Sequence, residues 1–139
     1  MGRLRKCILV LLLLSIIGCE KNSMNDRKSI EKLPDCVASY EVNGEYNLII
    51  IANKNKITDK ELFAKQVIEM ICGNDFRSML FSYDMSGYPL GVEMKVYLSE
   101  DVWKNQHEEP YMYITFKQEN RIDGYNIVED YDKFQLEIY

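Results

Sequence analysis

Few side chains in this chain have the type and spacing for chemistry. There is one histidine, His107, in the polar stretch Lys104-Asn105-Gln106-His107-Glu108-Glu109. A Ser-His-Asp machine would have to use it, yet no Gly-x-Ser-x-Gly elbow is present to offer a nucleophile. Zinc requires clustered Cys and His, and Cys36 and Cys72 lie far in sequence from His107 and from each other. Glu129-Asp130-Tyr131-Asp132 is the densest acidic cluster, but it lacks the ligand spacing and the glycine of an EF-hand loop and reads as a hydrated turn. Glu100-Asp101 and Glu108-Glu109 are paired carboxylates in sequence only. An acid and base for glycoside hydrolysis need a separation set across a cleft, which adjacency does not supply. The expectation is therefore no catalytic, cofactor-binding or metal-ligating residue. The aromatic content is more informative, with ten tyrosines and a single tryptophan, Trp103. Tyr97, Tyr111 and Tyr113 fall on strand faces turned away from the core, so two neighbouring strands would present a tyrosine-lined, half-polar surface. Amphipathic rings at a surface suit recognition, although a cross-strand ladder that only stabilises the sheet would use the same residues. Trp103, Tyr97, Tyr111 and Tyr113 are the candidate binding surface.

The elements that must position these residues follow from hydropathy. Thr58-Asp59-Lys60-Glu61 is a capping box, and Phe63, Ala64, Val67, Ile68, Met70 and Ile71 form one apolar helical face. This predicts a helix over about 58–72, closed by Gly73 in a left-handed cap. Before it, Tyr46 to Ala52 carries Leu48-Ile49-Ile50-Ile51 and reads as a strand buried on both faces or nearly so. After it, Arg77 to Tyr83, Val92 to Leu98, Tyr111 to Lys117, Tyr125 to Val128 and a last segment with Phe134, Leu136 and Ile138 read as strands. The order is strand, helix, then a meander, which predicts an α+β domain with one helix on a mainly antiparallel sheet. That outline resembles cystatin-like folds, without the Gln-x-Val-x-Gly loop of the inhibitors.

Asn43-Gly44 between Val37–Val42 and Glu45–Ala52 leaves two geometries open. If the segment is one long strand, the helix runs back along it and Cys72 can approach Cys36. If Asn43-Gly44 turns a hairpin, Cys36 returns beside Ile51 and a fifteen-residue helix carries Cys72 roughly 22 Å away. The first permits a disulfide and the second forbids it, because bridged Cα atoms lie within about 7 Å. Cys36 and Cys72 are thus a candidate disulfide pair, whose bridge would stabilise the fold by about 4 kcal/mol, and otherwise two reduced, apolar core residues.

The N-terminus has a different character. Arg3, Arg5 and Lys6 precede a nearly unbroken apolar run from Cys7 to Ile17, followed by Gly18-Cys19-Glu20. A basic segment, a short apolar segment and a small residue at the cut site make a secretory signal, and the apolar run is too short to span a bilayer as a mature helix. Ile16-Ile17-Gly18-Cys19 resembles the lipobox of bacterial lipoproteins. The resemblance covers residues 1–19 and implies cleavage after Gly18, lipidation of Cys19, and an extracytoplasmic protein anchored to a bacterial membrane. Glu20 in place of Asp resembles lipoproteins sent to the outer membrane where the host is diderm. The alternative is an ordinary secretory signal with Cys19 incidental.

Removal of residues 1–18 leaves 14 basic against 22 acidic side chains, a net charge of −8. Lys21, Arg27, Lys28 and Lys32 are balanced by Glu20, Asp26, Glu31 and Asp35, so the excess negative charge belongs to the domain beyond them. That balance excludes nucleic acid as a partner class. Residues 19–35 have the composition of a flexible tether, and 36–139 that of one small domain. The expected function is a non-catalytic binding module that meets a protein or other envelope component. The alternatives are a small envelope enzyme or enzyme inhibitor, and a structural lipoprotein that self-associates.

Overall fold

The computed structural model describes residues 33–105 and 107–139. The expected signal peptide, the expected lipidation site Cys19 and most of the expected tether, 19–35, lie outside the described residues. In chain order the elements are β1 (Asp35–Val42), β2 (Glu45–Ile51), α1 (Lys60–Gly73), α2 (Tyr83–Ser86), β3 (Gly91–Tyr97), α3 (Glu100–Lys104), β4 (Met112–Lys117), a 3-10 turn (Tyr131–Lys133) and β5 (Gln135–Ile138). The five strands form one sheet in the order β1-β2-β3-β4-β5. Three pairings are antiparallel, and β2 pairs with β3 in parallel. The fold is α+β. Of the two geometries open for the segment around Asn43-Gly44, the two-stranded one forms, so β1 and β2 both precede the helix.

Asn43-Gly44 turns the hairpin. Both residues take positive φ, 54° and 81°, which a two-residue primed turn requires and which Asn and Gly tolerate best. Val42 consequently pairs with Glu45, and Cys36 with Ile50. The pairing slips between Cys36 and Ala38, where Val37 is the extra residue of a bulge. The slip lets Cys36 face the core with Ile50 while Ala38 and Tyr40 face the other side with Ile49 and Asn47.

Parallel neighbours cannot be joined by a tight turn, so the chain from Ala52 to Leu90 crosses over between β2 and β3, and α1 lies in this crossover. Asp59 is its N-cap and accepts from the Leu62 N–H at 2.9 Å, one residue later than the capping box predicts. Phe63, Ala64, Val67, Ile68 and Ile71 bury one face of α1 against Leu48, Ile50, Val92, Met94, Val96, Met112, Ile114 and Phe116 of the sheet. Each of the large side chains stabilises the fold by about 1.5–3 kcal/mol in transfer terms. The helix closes at Asn74 rather than Gly73. Asn74 has φ 58°, its side chain accepts from the Phe81 N–H at 2.7 Å and donates to the Phe81 carbonyl at 2.8 Å. Glycine would tolerate that conformation but could not hold Phe81.

Two predicted strands do not form. From Arg77 to Ser82 the backbone is irregular because side chains take its donors: Asp35 Oδ1 accepts from the Arg77 and Ser78 N–H groups at 3.1 and 3.0 Å, and Asn74 holds Phe81. Tyr125–Val128 is a turn in which buried Asn126 accepts from the N–H groups of Val128 and Glu129 at 3.1 and 2.9 Å. Ile127 enters the core, its N–H held by the Pro89 carbonyl at 3.0 Å.

No disulfide joins Cys36 to Cys72, and both thiols are free. Cys36 packs beneath β2, where its Sγ lies 3.5 Å from the Ala38 carbonyl and 3.8 Å from Met79 Sδ. Cys72 turns instead to the Ile127 carbonyl at 3.6 Å. Burial, opposed by the Ala38 hydrogen bond and helped by Asp35, pushes the Cys36 thiol up to about 12. Burial, with Glu69 nearby, also raises Cys72. The thiolate is the species that oxidises, so both are poorly reactive.

Candidate open-face binding groove

One face of the sheet carries α1, and the other presents alternate residues of all five strands. Registers place them in transverse rows. Tyr40, Asn47, Glu93, Thr115 and Glu137 form one row across β1 to β5. In the next, Ala38, Ile49, Lys95 and Tyr113 follow one another, with Tyr139 joined to Tyr113 by two backbone hydrogen bonds of 2.9 and 3.1 Å. A groove of about 500 Å³ lies over these two rows, bordered by Tyr40 at the β1 side and by Tyr113 and Tyr139 at the β4–β5 side. The volume falls in the range of small-ligand sites, and the mixture of aromatic rings with a few polar groups is their usual lining.

The polar groups differ in how far the protein already satisfies them. Lys117 Nζ donates to Glu45 at 2.7 Å and to Glu93 at 2.5 Å. Partial burial lowers the Lys117 ammonium, but these two hydrogen bonds outweigh it and hold the group above the ordinary lysine range. Glu93 is therefore tied to the protein's own cation. The Tyr139 hydroxyl donates to Glu137, and that bond raises Tyr139 above the usual phenol range. Lys95 has no ion-pair partner among the described residues, and the Asn47 side-chain amide makes no hydrogen bond among them.

Of the four residues singled out from sequence, Tyr113 alone lines the groove. It is 39% exposed, with its hydroxyl 3.4 Å from Glu109. Tyr97 is half-buried and pairs with Ile51, one row beyond Lys95. Tyr111 precedes β4, and Lys60 Nζ sits 5.5 Å from its ring centroid. Trp103 is half-buried in α3, a short helix capped by Ser99 that packs against β3. Tyr97, Tyr111 and Trp103 thus lie outside the groove lining. Sequence reasoning missed Tyr40, Asn47, Ile49, Lys95, Thr115 and Tyr139. Lys95 alternates with the buried Met94 and Val96 in β3, a local signal, but Tyr40 joins the site only through the hairpin register and Tyr139 only through the β4–β5 pairing.

The residues weighed for catalysis are scattered. His107 is exposed in the turn after α3. Glu100 pairs with Lys104 at 2.7 Å. Asp130 and Glu129 serve the Asn126 turn, accepting from its N–H at 3.1 Å and its side-chain amide at 2.8 Å. Among the described residues no group of three or more His, Cys, Asp or Glu side chains is placed to hold a metal ion.

A second concavity, of about 270 Å³, adjoins the β1 edge between Tyr40 and the Met79–Ser82 segment. Behind it lies an aromatic cluster of Tyr46, Phe76, Phe81, Tyr83 and Tyr88. The Tyr83 hydroxyl donates to the Ile71 carbonyl at 2.7 Å. Burial, with Tyr46, Cys72, Cys36 and Tyr88 nearby, raises it well above its ordinary range. It acts as a structural donor, not as a general base.

No protein-family model, curated protein or solved structure matches the chain.

Proposed function

We propose that this chain is an extracytoplasmic, lipid-anchored bacterial lipoprotein whose small α+β domain is a non-catalytic binding module, with the open sheet face as its recognition surface. The tyrosine-bordered groove carries the reading. Three large amphipathic rings, Tyr40, Tyr113 and Tyr139, surround a floor that the described chain leaves uncovered. Such rings lose little conformational freedom on binding and contribute both contact area and a hydrogen-bonding tip. The polar groups of the face engage one another or stand free, and none is paired as acid with base across the groove. The lipobox-like Ile16-Ile17-Gly18-Cys19 supports anchoring through Cys19, on the outer membrane in a diderm host, with a protein or other envelope component as partner.

The test is cross-linking capture from the native membranes with wild type, Tyr40→Ser/Tyr113→Ser, and Trp103→Ala, each checked for retained fold. Loss of a specific partner in the tyrosine variant but not in Trp103→Ala is expected. Undiminished capture in the tyrosine variant rejects this face. Labelled palmitate should enter the wild type and not Cys19→Ser, and labelling of both would reject Cys19 as the anchor.

A further inference from the structure

Resting on the binding-module reading, we propose that the open-face groove takes an acidic oligosaccharide, its sugar rings lying against the bordering tyrosines and a carboxylate meeting Lys95.

The face of a sheet offers side chains only, since its backbone N–H and C=O groups are committed to the ladders. A peptide laid across it would leave its own backbone groups without partners, which is why extended peptides add to sheet edges instead. A saccharide carries its polarity as hydroxyls around a ring with apolar faces. The groove matches that distribution: Tyr40, Tyr113 and Tyr139 supply flat aromatic surfaces, and Asn47 and Thr115 supply an amide and a hydroxyl on the floor between them. With strands about 4.8 Å apart, Tyr40 on β1 and Tyr113 on β4 stand roughly 14 Å from each other, so several rings can span the groove and a single ring cannot touch both ends.

Charge supplies the second half. The floor contains one anion and one cation, Glu93 and Lys95. Glu93 is held by Lys117 at 2.5 Å, whereas Lys95 is flanked by Ile49 and Tyr113 in its row and has no ion-pair partner among the described residues. The mature chain is acidic, so a general attraction for anions is absent and only a ligand that places its carboxylate at Lys95 gains from the pairing. A neutral sugar would leave that ammonium desolvated and unpaired, which selects against it.

The test uses the purified full chain in detergent on an array that carries uronate-bearing oligosaccharides, the same compounds with the carboxyl reduced to an alcohol, neutral oligosaccharides and acidic peptides. Uronate-bearing compounds should be retained, and carboxyl reduction should weaken binding about tenfold or more, the usual worth of a hydrogen bond between charged groups. Lys95→Gln should erase the difference between the acidic and reduced forms, Tyr113→Ala should weaken both, and Lys133→Gln, outside the groove, should change neither. Because the carboxyl-reduced compounds probe wild type, the charge inference stays testable even if Lys95→Gln does not fold. Equal retention of acidic and neutral sugars overturns the role of Lys95. Preference for acidic peptides, or no retention at all, overturns the saccharide, while a partner captured from membranes through Tyr40 and Tyr113 would still leave the binding face standing. Sugar retention indifferent to Tyr113→Ala and Lys95→Gln rejects the groove itself.

Discussion

Removing the carboxylate of Asp35 should release the segment after α1 from the sheet. Asp35 is 3% exposed, and its Oδ1 accepts from the Arg77 and Ser78 N–H groups at 3.1 and 3.0 Å. Its Oδ2 accepts from the Ser78 hydroxyl at 2.5 Å and from the Arg77 guanidinium at 3.4 Å. Hydrogen bonds to a charged partner contribute about 1.5–3 kcal/mol each, and water can partly replace the carboxylate because Arg77 and Ser78 reach the surface. Asp35→Ala should therefore cost about 3 kcal/mol. Asp35→Asn keeps an oxygen for both N–H groups and lets the Ser78 hydroxyl turn round to accept, so it should cost about 1 kcal/mol. The Arg77 side chain is 63% exposed, and as an open ion pair its truncation should cost under about 1 kcal/mol. Urea unfolding followed by fluorescence of the single, half-buried Trp103 reads these differences. With a slope of about 1.5 kcal/mol/M, Asp35→Ala should lower the midpoint by about 2 M. If Asp35→Asn is as damaging as Asp35→Ala, charge and not acceptor geometry anchors the loop. If Asp35→Ala costs less than about 1 kcal/mol, the loop is held by the aromatic cluster and this reasoning fails.

Gly44→Ala should destabilise the hairpin by about 1–2 kcal/mol, because φ is +81° there and an added Cβ would stand 2.7 Å from Leu90 Cδ1; an unchanged melting temperature would contradict the primed turn. Native-state alkylation at pH 8 should leave Cys36 unlabelled for as long as the domain stays folded, and mass spectrometry showing rapid modification would contradict its burial. Folding raises the Cys36 thiol from 9.0 to about 12, so its stabilisation is complete below pH 9 and is lost as pH rises toward 12. The change is at most about 4 kcal/mol, and Cys36→Ala should flatten the alkaline decline measured by urea titration. Lys117, also raised by folding despite partial burial, through its bonds to Glu45 and Glu93, should add to that decline as the pH rises above the ordinary lysine range, and Lys117→Met should remove its share; an alkaline decline unchanged in Lys117→Met would contradict that assignment.

Much of the domain was legible locally. The apolar stripe from Phe63 to Ile71 repeats at helical spacing, and Met112, Ile114 and Phe116 alternate at strand spacing, so each announces its own buried face whatever surrounds it. Asn43-Gly44 carries its turn in its own φ preferences. The acidic balance and the lipobox-like N-terminus are likewise properties of the sequence alone. Arg77–Tyr83 and Tyr125–Val128 misled because their β-forming residues say nothing of Asp35, Asn74 and Asn126, side chains remote or irregularly spaced that take the backbone donors a strand would need.

The groove depended on register. Tyr40, Asn47, Lys95, Thr115 and Tyr139 share a face because of the register set by the Asn43-Gly44 turn, the parallel crossover from β2 to β3 and the final pairing of β5. Tyr97 lies one row beyond it in β3, Tyr111 precedes β4, and Trp103 belongs to α3. The sequence determined the character of each strand, since alternation is a relation between residues two apart. The tertiary structure decided which strands lie side by side and how far each is slid along the next, since a shift of one residue exchanges every side chain between core and groove.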